Sequence, residues 1–537
     1  MKTNYPALYT LIVVFFFWGF IASGNNVLIP FCKEYFHLDQ FQSQLIDFAF
    51  YTAYFIGSLG LFAASTFSQK DFVMKWGYKK SIIRGLLVSV VGALLILLGI
   101  NSDSYFGMLT GLFVVGLGFS LQQTAANPFA ISLGDEKTGA SRVNLGGGVN
   151  SLGTTLGPLI VAYFLFGSPK SISAEQIQSL SLQTITVLYA IVALLFAVAA
   201  AIFYFSKKLP NIQKDEPIER SNKALGLLFT MTVLLVLAMV SVFLTYKKEL
   251  PSFLQNMSLE SIEMFRMYAL IAALVVVVVS ILYAAVQSKK SPKGWGAMQY
   301  PQLSLGMLAI FMYVGVEVAV GSNLGELLQT EAFGNIPQTE IAMIISMYWG
   351  SMMVGRWAGA VYAFSLERQK ELIALVTLPL LAFGVLLFAN HQAGYEVESM
   401  FPYVVCVLLQ IALIIFTKNQ ATKTLIGSGV FGALALFVGL NTTGTTAIYA
   451  FLSAGLACSV IWSAIFNLAL MGIGKYTTQG SAFLILMILG GGIIPPLQGK
   501  LADIIGIHNS YIVSLLCFVY LIVYGLIVKP KKVLVEK

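Results

Sequence analysis

The chain has 537 residues, of which 58% are hydrophobic and only 10% are charged, and its mean hydropathy is +0.82. Soluble domains carry about 25% charged residues, so this composition indicates a multi-pass membrane protein and excludes a large soluble domain. The net charge of +8 does not indicate nucleic-acid binding. The basic residues lie in short loops between apolar runs, as they do in the cytoplasmic loops of membrane proteins.

Six apolar runs form the first part of the chain, near residues 7–30, 44–66, 82–100, 105–132, 143–166 and 183–206. The first run is too long for the apolar region of a signal peptide, so we interpret it as a transmembrane helix. Basic residues follow the second, fourth and sixth runs, whereas the intervening loops carry almost none. This alternation predicts that the N-terminus and the even-numbered connections are cytoplasmic.

A charged connector at 209–223 precedes two further runs, and eight more runs follow between residues 302 and 529. We predict an all-α membrane protein with three parts: an N-terminal six-helix bundle at 1–206, a cytoplasmic linker with an extra helix pair at 207–299, and a C-terminal six-helix bundle at 300–530. A second helix pair is inserted in the last part, at about 371–423. About sixteen spans are expected, or fourteen if two short runs do not cross. Both termini are then cytoplasmic, in the cell (inner) membrane.

An internal repeat supports two related halves. The segment NPFAISLG at 127–134 occupies the place in its half that FNLALMGIG at 466–474 occupies in the other. Each is followed by a short polar loop and a glycine-rich helix, at 144–158 and 489–499. Related halves are typical of transporters, and triple glycines allow helices to approach closely.

The stretch Leu121–Phe129 places four hydrogen-bonding side chains in a predicted spanning helix: Gln122, Gln123, Thr124 and Asn127. Amides in hydrocarbon are costly unless they are paired or face a wet cavity. Gln123 and Asn127 are four residues apart and share one helix face, so they predict a substrate-contacting wall. In the first run, Asn26 and its polar neighbours either line the same cavity or bond an adjacent helix.

Two acids lie within apolar runs, Glu317 near the middle of its run and Asp47 near the outer end of the second. A carboxylate at such depth indicates a functional site by default, because it can carry a proton or help to ligate a cation. The alternatives are a structural pair with a basic residue for Glu317, although none lies nearby in sequence, and a solvated position for Asp47.

Three further residues have alternative interpretations. Trp349 could stack on a sugar ring or pack within the membrane. Arg142 and Arg356 are assigned to cytoplasmic helix ends, as charge anchors or gate-closing ion pairs.

The sequence contains no Walker motif, no HExxH and no convincing nucleophile–base arrangement, which argues against an enzyme. The four cysteines are scattered and lack the spacing of a disulfide framework or a zinc site. We therefore expect neither a cofactor nor a structural metal.

Several motifs resemble the fucose–galactose–glucose permease family of the major facilitator superfamily. They are FFWGF at 16–20, QTAANPF at 123–129, the R-x-N-L start at 142–145, GRW at 355–357 and GGGIIPPLQG at 490–499. The resemblance implies a sugar importer with two six-helix bundles, two inserted helical hairpins and alternating access. In the fucose/proton symporters of this family, acids occupy the positions held here by Asn26 and Gln123, and amides cannot take up a proton near neutral pH.

The resemblance also assigns a sugar contact to Asn150, while a neighbouring glutamine position is Gly147 here. A pattern VG-x-E-x-x-x-GS around Glu317 is similar to that of glucose and galactose transporters. The resulting hypothesis is a cation-coupled hexose transporter that uses Glu317, with Asp47 as a second coupling acid. Sodium is favoured over a proton, because amide oxygens near a single carboxylate suit a hard cation. The expected sugar contacts are Asn26, Gln123, Asn127, Asn150, Glu317, Asn323 and Trp349.

The alternatives are an L-fucose or N-acetylglucosamine/proton symporter, a drug/proton antiporter on the same fold, and a membrane sensor without transport. The expected partners are a small sugar and the lipid bilayer, with no nucleic acid, and the chain is expected to be monomeric. The co-transported sodium ion or proton is the one further species implied.

Overall fold

The computed structural model describes residues 2–36, 40–167, 182–213, 217–245, 257–418 and 420–528. Within these segments, the side chains of 22–34, 40–48, 161–162, 165–166, 182–184, 259 and 338–339 are not described. Helices dominate the described part, and 13 of them are long and apolar enough to span a membrane. Glycine C-caps end three of the described α-helices, at Gly77, Gly167 and Gly506.

The first part of the chain forms a six-helix bundle, called here the N bundle. Its long helices α1, α2 and α4–α7 are joined by short loops, one of which contains the short helix α3. Helix α1 packs against α6, α5 lies between α2 and α4, and α4 also packs against α7. The bounds are α1 Tyr5–Tyr35, α2 Gln40–Ser68, α3 Phe72–Trp76, α4 Tyr78–Asn101, α5 Tyr105–Ser132, α6 Gly139–Phe166 and α7 Leu182–Phe205.

The rest of the chain forms helices α8 to α20. Several runs predicted as single spans are interrupted here: α15 and α16 are separated by a break at Ser459 and Val460, and α17 and α18 by a 3-10 turn, Met487–Leu489. The bounds are α8 Asn222–Leu244, α9 Leu259–Lys290, α10 Pro301–Leu328, α11 Gln338–Ala360, α12 Arg368–Gln392, α13 Val404–Thr417, α14 Ala421–Asn441, α15 Gly444–Cys458, α16 Ile461–Leu470, α17 Thr477–Leu486, α18 Gly490–Ile505, α19 Ile507–Ser510 and α20 Ile512–Ile527.

Helices α10, α11, α14–α18 and α20 form the C bundle, which repeats the packing of the N bundle. Helix α10 packs against α18 as α1 does against α6, and α11 against α15 as α2 does against α5. Helix α14 packs against α15 and α20 as α4 does against α5 and α7. The internal repeat in the sequence therefore has a structural counterpart at the level of whole helices.

The two inserted helix pairs lie outside these bundles. The pair α8–α9 packs through α9 on α10 and α18, and the pair α12–α13 packs on α11. Burial reflects this arrangement: the span Asn222–Leu244 is 17% buried, whereas Gly444–Leu470 is 89% buried. Apolar helices with so little buried surface fit a lipid-facing position. On these contacts we propose domain boundaries near residues 206 and 299.

The two bundles meet mainly through α6 and α11 and through α2 and α17. On the side of the basic loops, hydrogen bonds join them directly. The Ser463 hydroxyl donates to Asn144 Oδ1 at 2.6 Å, Tyr5 Oη donates to the Ala363 carbonyl at 3.3 Å, and the Thr478 hydroxyl donates to the Asp71 carboxylate. Asp71 lies in the loop between α2 and α3, and burial raises the pKa of its carboxyl to about 6.

Candidate functional site

A cavity of about 250 Å³ lies between the two bundles and is lined by residues of both. The N bundle contributes residues of α1, α2, α5 and α6, and the C bundle contributes residues of α10, α11 and the interrupted helices. Both interruptions reach the cavity, through Ser459 and Ile488. Polar groups are rare within membrane-spanning helices, so this polar cavity between the bundles is the candidate substrate site.

Four amide side chains line the N-bundle wall: Asn144, which accepts a hydrogen bond from Ser463 of the C bundle, and the three expected sugar contacts Gln123, Asn127 and Asn150. Each of the latter three uses its NH₂ group within the N bundle. Gln123 Nε2 donates to Tyr54 Oη at 3.0 Å, Asn127 Nδ2 to the Gln123 carbonyl at 3.1 Å, and Asn150 Nδ2 to the Phe15 carbonyl at 3.0 Å. Their three side-chain oxygens have no hydrogen-bond donor among the described residues: that of Asn127 is buried, and those of the half-buried Gln123 and Asn150 are available as acceptors.

The polar stretch around Gln123 serves two purposes rather than one. Gln122 is fully buried and turned away from the cavity. It accepts a hydrogen bond from Trp18 Nε1 at 2.9 Å and donates one to Ser89 Oγ at 3.0 Å, and so it ties α5 to α1 and α4. Neighbouring residues on a helix point in different directions, which explains why only Gln123 and Asn127 reach the cavity.

Glu317 lines the opposite wall and is paired with Arg356. Arg356 Nη2 lies 3.3 Å from Glu317 Oε1, and Tyr313 Oη donates to the same oxygen at 2.7 Å. The side chains of both charged residues are about 15% exposed, at 15% for Glu317 and 14% for Arg356. The structure thus supplies a basic partner 39 positions away in the chain, which no neighbouring sequence could reveal.

Arg356, expected to be a charge anchor or part of a gate-closing ion pair, forms an ion pair in the structure. It lines the central cavity, four residues before the end of α11. Its Nε donates to the carbonyl of Ser459 at 3.3 Å, which is a carbonyl at the break between α15 and α16. Because the buried guanidinium has five N–H donors, it can satisfy this carbonyl and the carboxylate together.

Arg142 keeps a structural role at the basic-loop side. It is fully buried and donates to the carbonyls of Ala130, Ile131 and Asp135 and to the Thr138 hydroxyl. The first two carbonyls belong to the last turn of α5, where backbone acceptors have no helical partner. Arg142 therefore caps α5 from α6 and does not line the cavity.

Two other predicted contacts have different outcomes in the structure. Trp349 lines the cavity and is 37% exposed, with its ring 5.4 Å from that of Tyr348. Asn323 does not line the cavity, because it lies farther along α10 and donates to the Ala319 carbonyl of its own helix at 2.9 Å. Asn26 and Asp47 lie outside the residues whose side chains are described.

Apart from Trp349, the sequence did not identify the aromatic and hydroxyl residues of the site. Tyr54 and Tyr313 hold Gln123 and Glu317, and Ser151 accepts a hydrogen bond from Arg356 Nη1 at 2.7 Å. Tyr313 precedes Glu317 by four residues and so shares its helix face, a signal that could have been used. The other lining aromatics give no such signal, because they are common in all membrane helices: Phe15, Trp18, Phe50, Tyr51 and Trp462.

A polar cavity at mid-depth between two related six-helix bundles, lined by interrupted helices, is the architecture of a secondary transporter. The family model for the Major Facilitator Superfamily matches residues 11–422, and the chain belongs to that superfamily. It is therefore a multi-pass membrane transporter and not an enzyme.

Comparison with known proteins narrows this placement. The chain is 30% identical to the glucose/galactose transporter of Brucella abortus over 98% of its own length and 95% of that protein. It is 24% identical to the L-fucose-proton symporter of Escherichia coli, over 95% and 90% of the two chains. A crystal structure of the E. coli fucose:proton symporter covers 98% of this chain and 100% of that chain with a TM-score of 0.64 at 18% identity, which supports the fold.

Proposed function

We propose that this protein transports a hexose of the glucose/galactose type by alternating access of the central cavity. The observation that carries the proposal is the set of three amide oxygens on the N-bundle wall without a described donor. Such oxygens complement the hydroxyl donors of a sugar, and an unpaired buried acceptor is costly until a ligand fills it. The 30% identity to a glucose/galactose transporter over almost the whole chain supports the same substrate class.

Trp349 would complete the site as an apolar platform for one face of the sugar ring. The indole lies on the C-bundle wall, across the cavity from the amides. Aromatic rings offer large contact area at little cost in conformational entropy. The N bundle would then bind the hydroxyls of the sugar and the C bundle would bind its ring. A bound sugar would therefore draw the two bundles together.

We further propose that Glu317 is the coupling acid and that it exchanges a proton. Among the described side chains, Tyr313 and Arg356 occupy the hydrogen-bonding positions around Glu317 Oε1. A guanidinium 3.3 Å away repels a sodium ion at the same carboxylate. The same charge also opposes a proton on Glu317, but a proton needs no further ligands, whereas sodium needs several, and protonation leaves Arg356 without its counter-charge. These contacts therefore favour a proton over sodium as the coupling ion.

The basic loops would face the cytoplasm, with both termini on that side. The hydrogen bonds between Ser463 and Asn144 and between Thr478 and Asp71 close the bundles on this face. The described conformation would then be the one that receives sugar from outside.

Uptake of radiolabelled sugars into proteoliposomes tests the proposal, with proton and sodium gradients imposed separately. We expect glucose or galactose to be concentrated in response to the proton gradient, and L-fucose and N-acetylglucosamine to be carried less well. Glu317→Gln should retain sugar exchange at equal concentrations but lose concentrative uptake. Full concentrative uptake by this variant would refute the coupling role, and failure of every sugar in the panel would refute the substrate class.

A further inference from the structure

Two motifs that the sequence analysis singled out, the glycine run of α6 and the GRW motif of α11, meet at the boundary between the bundles. A Cβ atom on Gly147 would lie 3.2 Å from Arg356 Cδ, and one on Gly148 would lie 2.7 Å from Trp357 Cδ1. Trp357 Nε1 also donates to the Gly148 carbonyl at 3.3 Å. The glycines are therefore the surface on which Arg356 and Trp357 rest, and we call this contact the seam.

Arg356 makes contacts with both bundles at the seam. On the C-bundle side, it contacts Glu317 Oε1 at 3.3 Å and the Ser459 carbonyl at 3.3 Å. On the N-bundle side, its Nη1 donates to Ser151 Oγ at 2.7 Å. Two of the three guanidinium nitrogens thus hold the side chain in its own bundle, while the third reaches across to α6.

We propose that the hydrogen bond from Arg356 to Ser151 is the positioning contact through which the charge of Glu317 controls separation of the bundles at the seam. This inference deepens the proposed function and rests on Glu317 being the coupling acid. The contact itself connects α11 to α6 whatever substrate the cavity holds.

The direction of control follows from the cost of a buried charge. While Glu317 is ionised, it balances Arg356, and the guanidinium can stay in the closed seam. When Glu317 is neutral, Arg356 is a buried cation without a counter-charge, and it gains by moving into water. That movement breaks the bond to Ser151 and favours separation of α6 from α11 on the basic-loop side.

Several titratable groups face Glu317 in the described part of the chain. Tyr313 lies on its own helix, Arg356 lies on α11, and Tyr348 on α11 donates to the Glu317 carbonyl at 2.8 Å. Cys458 at the end of α15 is close enough to interact electrostatically with Glu317. Arg356 is the one cation of this set, so the inference assigns to it the response to a change of charge on Glu317.

The test measures the distance between the bundles directly and without sugar. Spin labels replace the exposed Lys80 of the N bundle and the exposed Lys370 of α12, which packs on the C bundle, in a protein whose native cysteines are serines. Pulsed electron resonance then gives the distribution of label distances in detergent or nanodiscs. The label background is accepted only if its melting temperature in detergent matches that of the parent protein.

We expect Ser151→Ala to move at least a threefold larger share of molecules into a longer-distance state. Ser151→Thr keeps the hydroxyl and should restore the parent distribution. The matched control is Thr154→Ala, which removes a hydroxyl that also lines the cavity but donates to the Ser151 carbonyl within its own helix, at 2.8 Å. This control should leave the distances unchanged.

The pH dependence of the label distances tests whether the charge of Glu317 controls the seam. The parent protein should shift towards longer distances as pH falls, whereas Glu317→Gln should be shifted at every pH and show no such dependence. Combining Ser151→Ala with Glu317→Gln should give no larger shift than the stronger single variant, because both act through Arg356. A parent-like distribution for Ser151→Ala, or full additivity of the two changes, would overturn the inference. Neither result depends on sugar, so failure of the uptake panel is a separate outcome.

Discussion

The two walls of the central cavity use different chemistry. The N-bundle wall presents neutral amides, and three of them, Gln123, Asn127 and Asn150, are fixed by hydrogen bonds within their own bundle. The C-bundle wall presents an ion pair whose cation also contacts the opposite bundle. Neutral groups that are locally fixed suit recognition, since they keep their positions when the bundles move. A charged group shared between bundles suits coupling, since a change in its balance alters how the bundles fit together.

Removal of the Arg356 cation from the C-bundle wall should have the largest effect on transport and stability. Arg356→Ala leaves Glu317 buried without a counter-charge, and breaking such a pair costs about 3–5 kcal/mol. We expect transport to be lost and the melting temperature in detergent to fall strongly. The double variant Arg356→Ala with Glu317→Gln should recover much of the stability and none of the concentrative uptake. Equal melting temperatures for the single and double variants would show that the pair is not energetically coupled.

A substitution in the seam between α6 and α11 should have the second largest effect. Gly148→Ala places a methyl group 2.7 Å from Trp357 Cδ1, and overpacking of this kind costs about 1–3 kcal/mol. We expect slower transport and lower stability. The matched control is Gly492→Ala in the glycine run of α18, where an added Cβ meets nothing within 4 Å. If both variants lose transport equally, a general effect of alanine in these helices would replace the steric explanation.

On the N-bundle wall, loss of one amide should weaken sugar binding without changing the coupling of transport to the proton gradient. Asn127→Leu removes one hydrogen bond to the sugar, worth about 1–1.5 kcal/mol, so KM should rise about tenfold. Asn323→Leu is the comparison, because Asn323 is an amide of the opposite bundle that does not line the cavity. Its KM should stay near that of the parent protein. An unchanged KM for Asn127→Leu would remove that residue from the binding site.

The last effect, on stability and not on sugar binding, is expected away from both walls, at Asp71. Burial raises the pKa of this carboxyl from 3.8 to about 6, so the unfolded chain releases its proton at lower pH than the folded one does. Stability therefore falls as pH rises from about 4 to about 6 and is level above that, by at most about 3 kcal/mol. Asp71→Asn should lack this fall, which melting curves at several pH values can show. A constant difference between the two proteins across this range would contradict the assignment.

Much of the architecture follows from the sequence by itself. Apolar runs of spanning length, the alternation of basic loops and the repeated Asn-containing segments predicted helices in two related halves, because bilayer thickness and loop charge act on local composition. The amides of α5 were also predictable, since polar groups in hydrocarbon need a reason to be there, whereas Asn150 of α6 was expected only from the resemblance to the permease family. Helix breaks near Ser459 and Met487 were not predicted, and the carbonyl at the first break is bonded by Arg356, which is distant in sequence.

Only the tertiary structure decided how the polar residues are paired. Gln122 and Gln123 are neighbours in the chain, yet one ties helices together and the other faces the cavity. Arg356 contacts Glu317 and Ser151 from a position that left a charge anchor and a gate-closing ion pair open, while Asn323 bonds its own helix. The physical reason is that composition fixes whether a segment enters the membrane, whereas the cost of a buried charge is settled by partners distant in sequence.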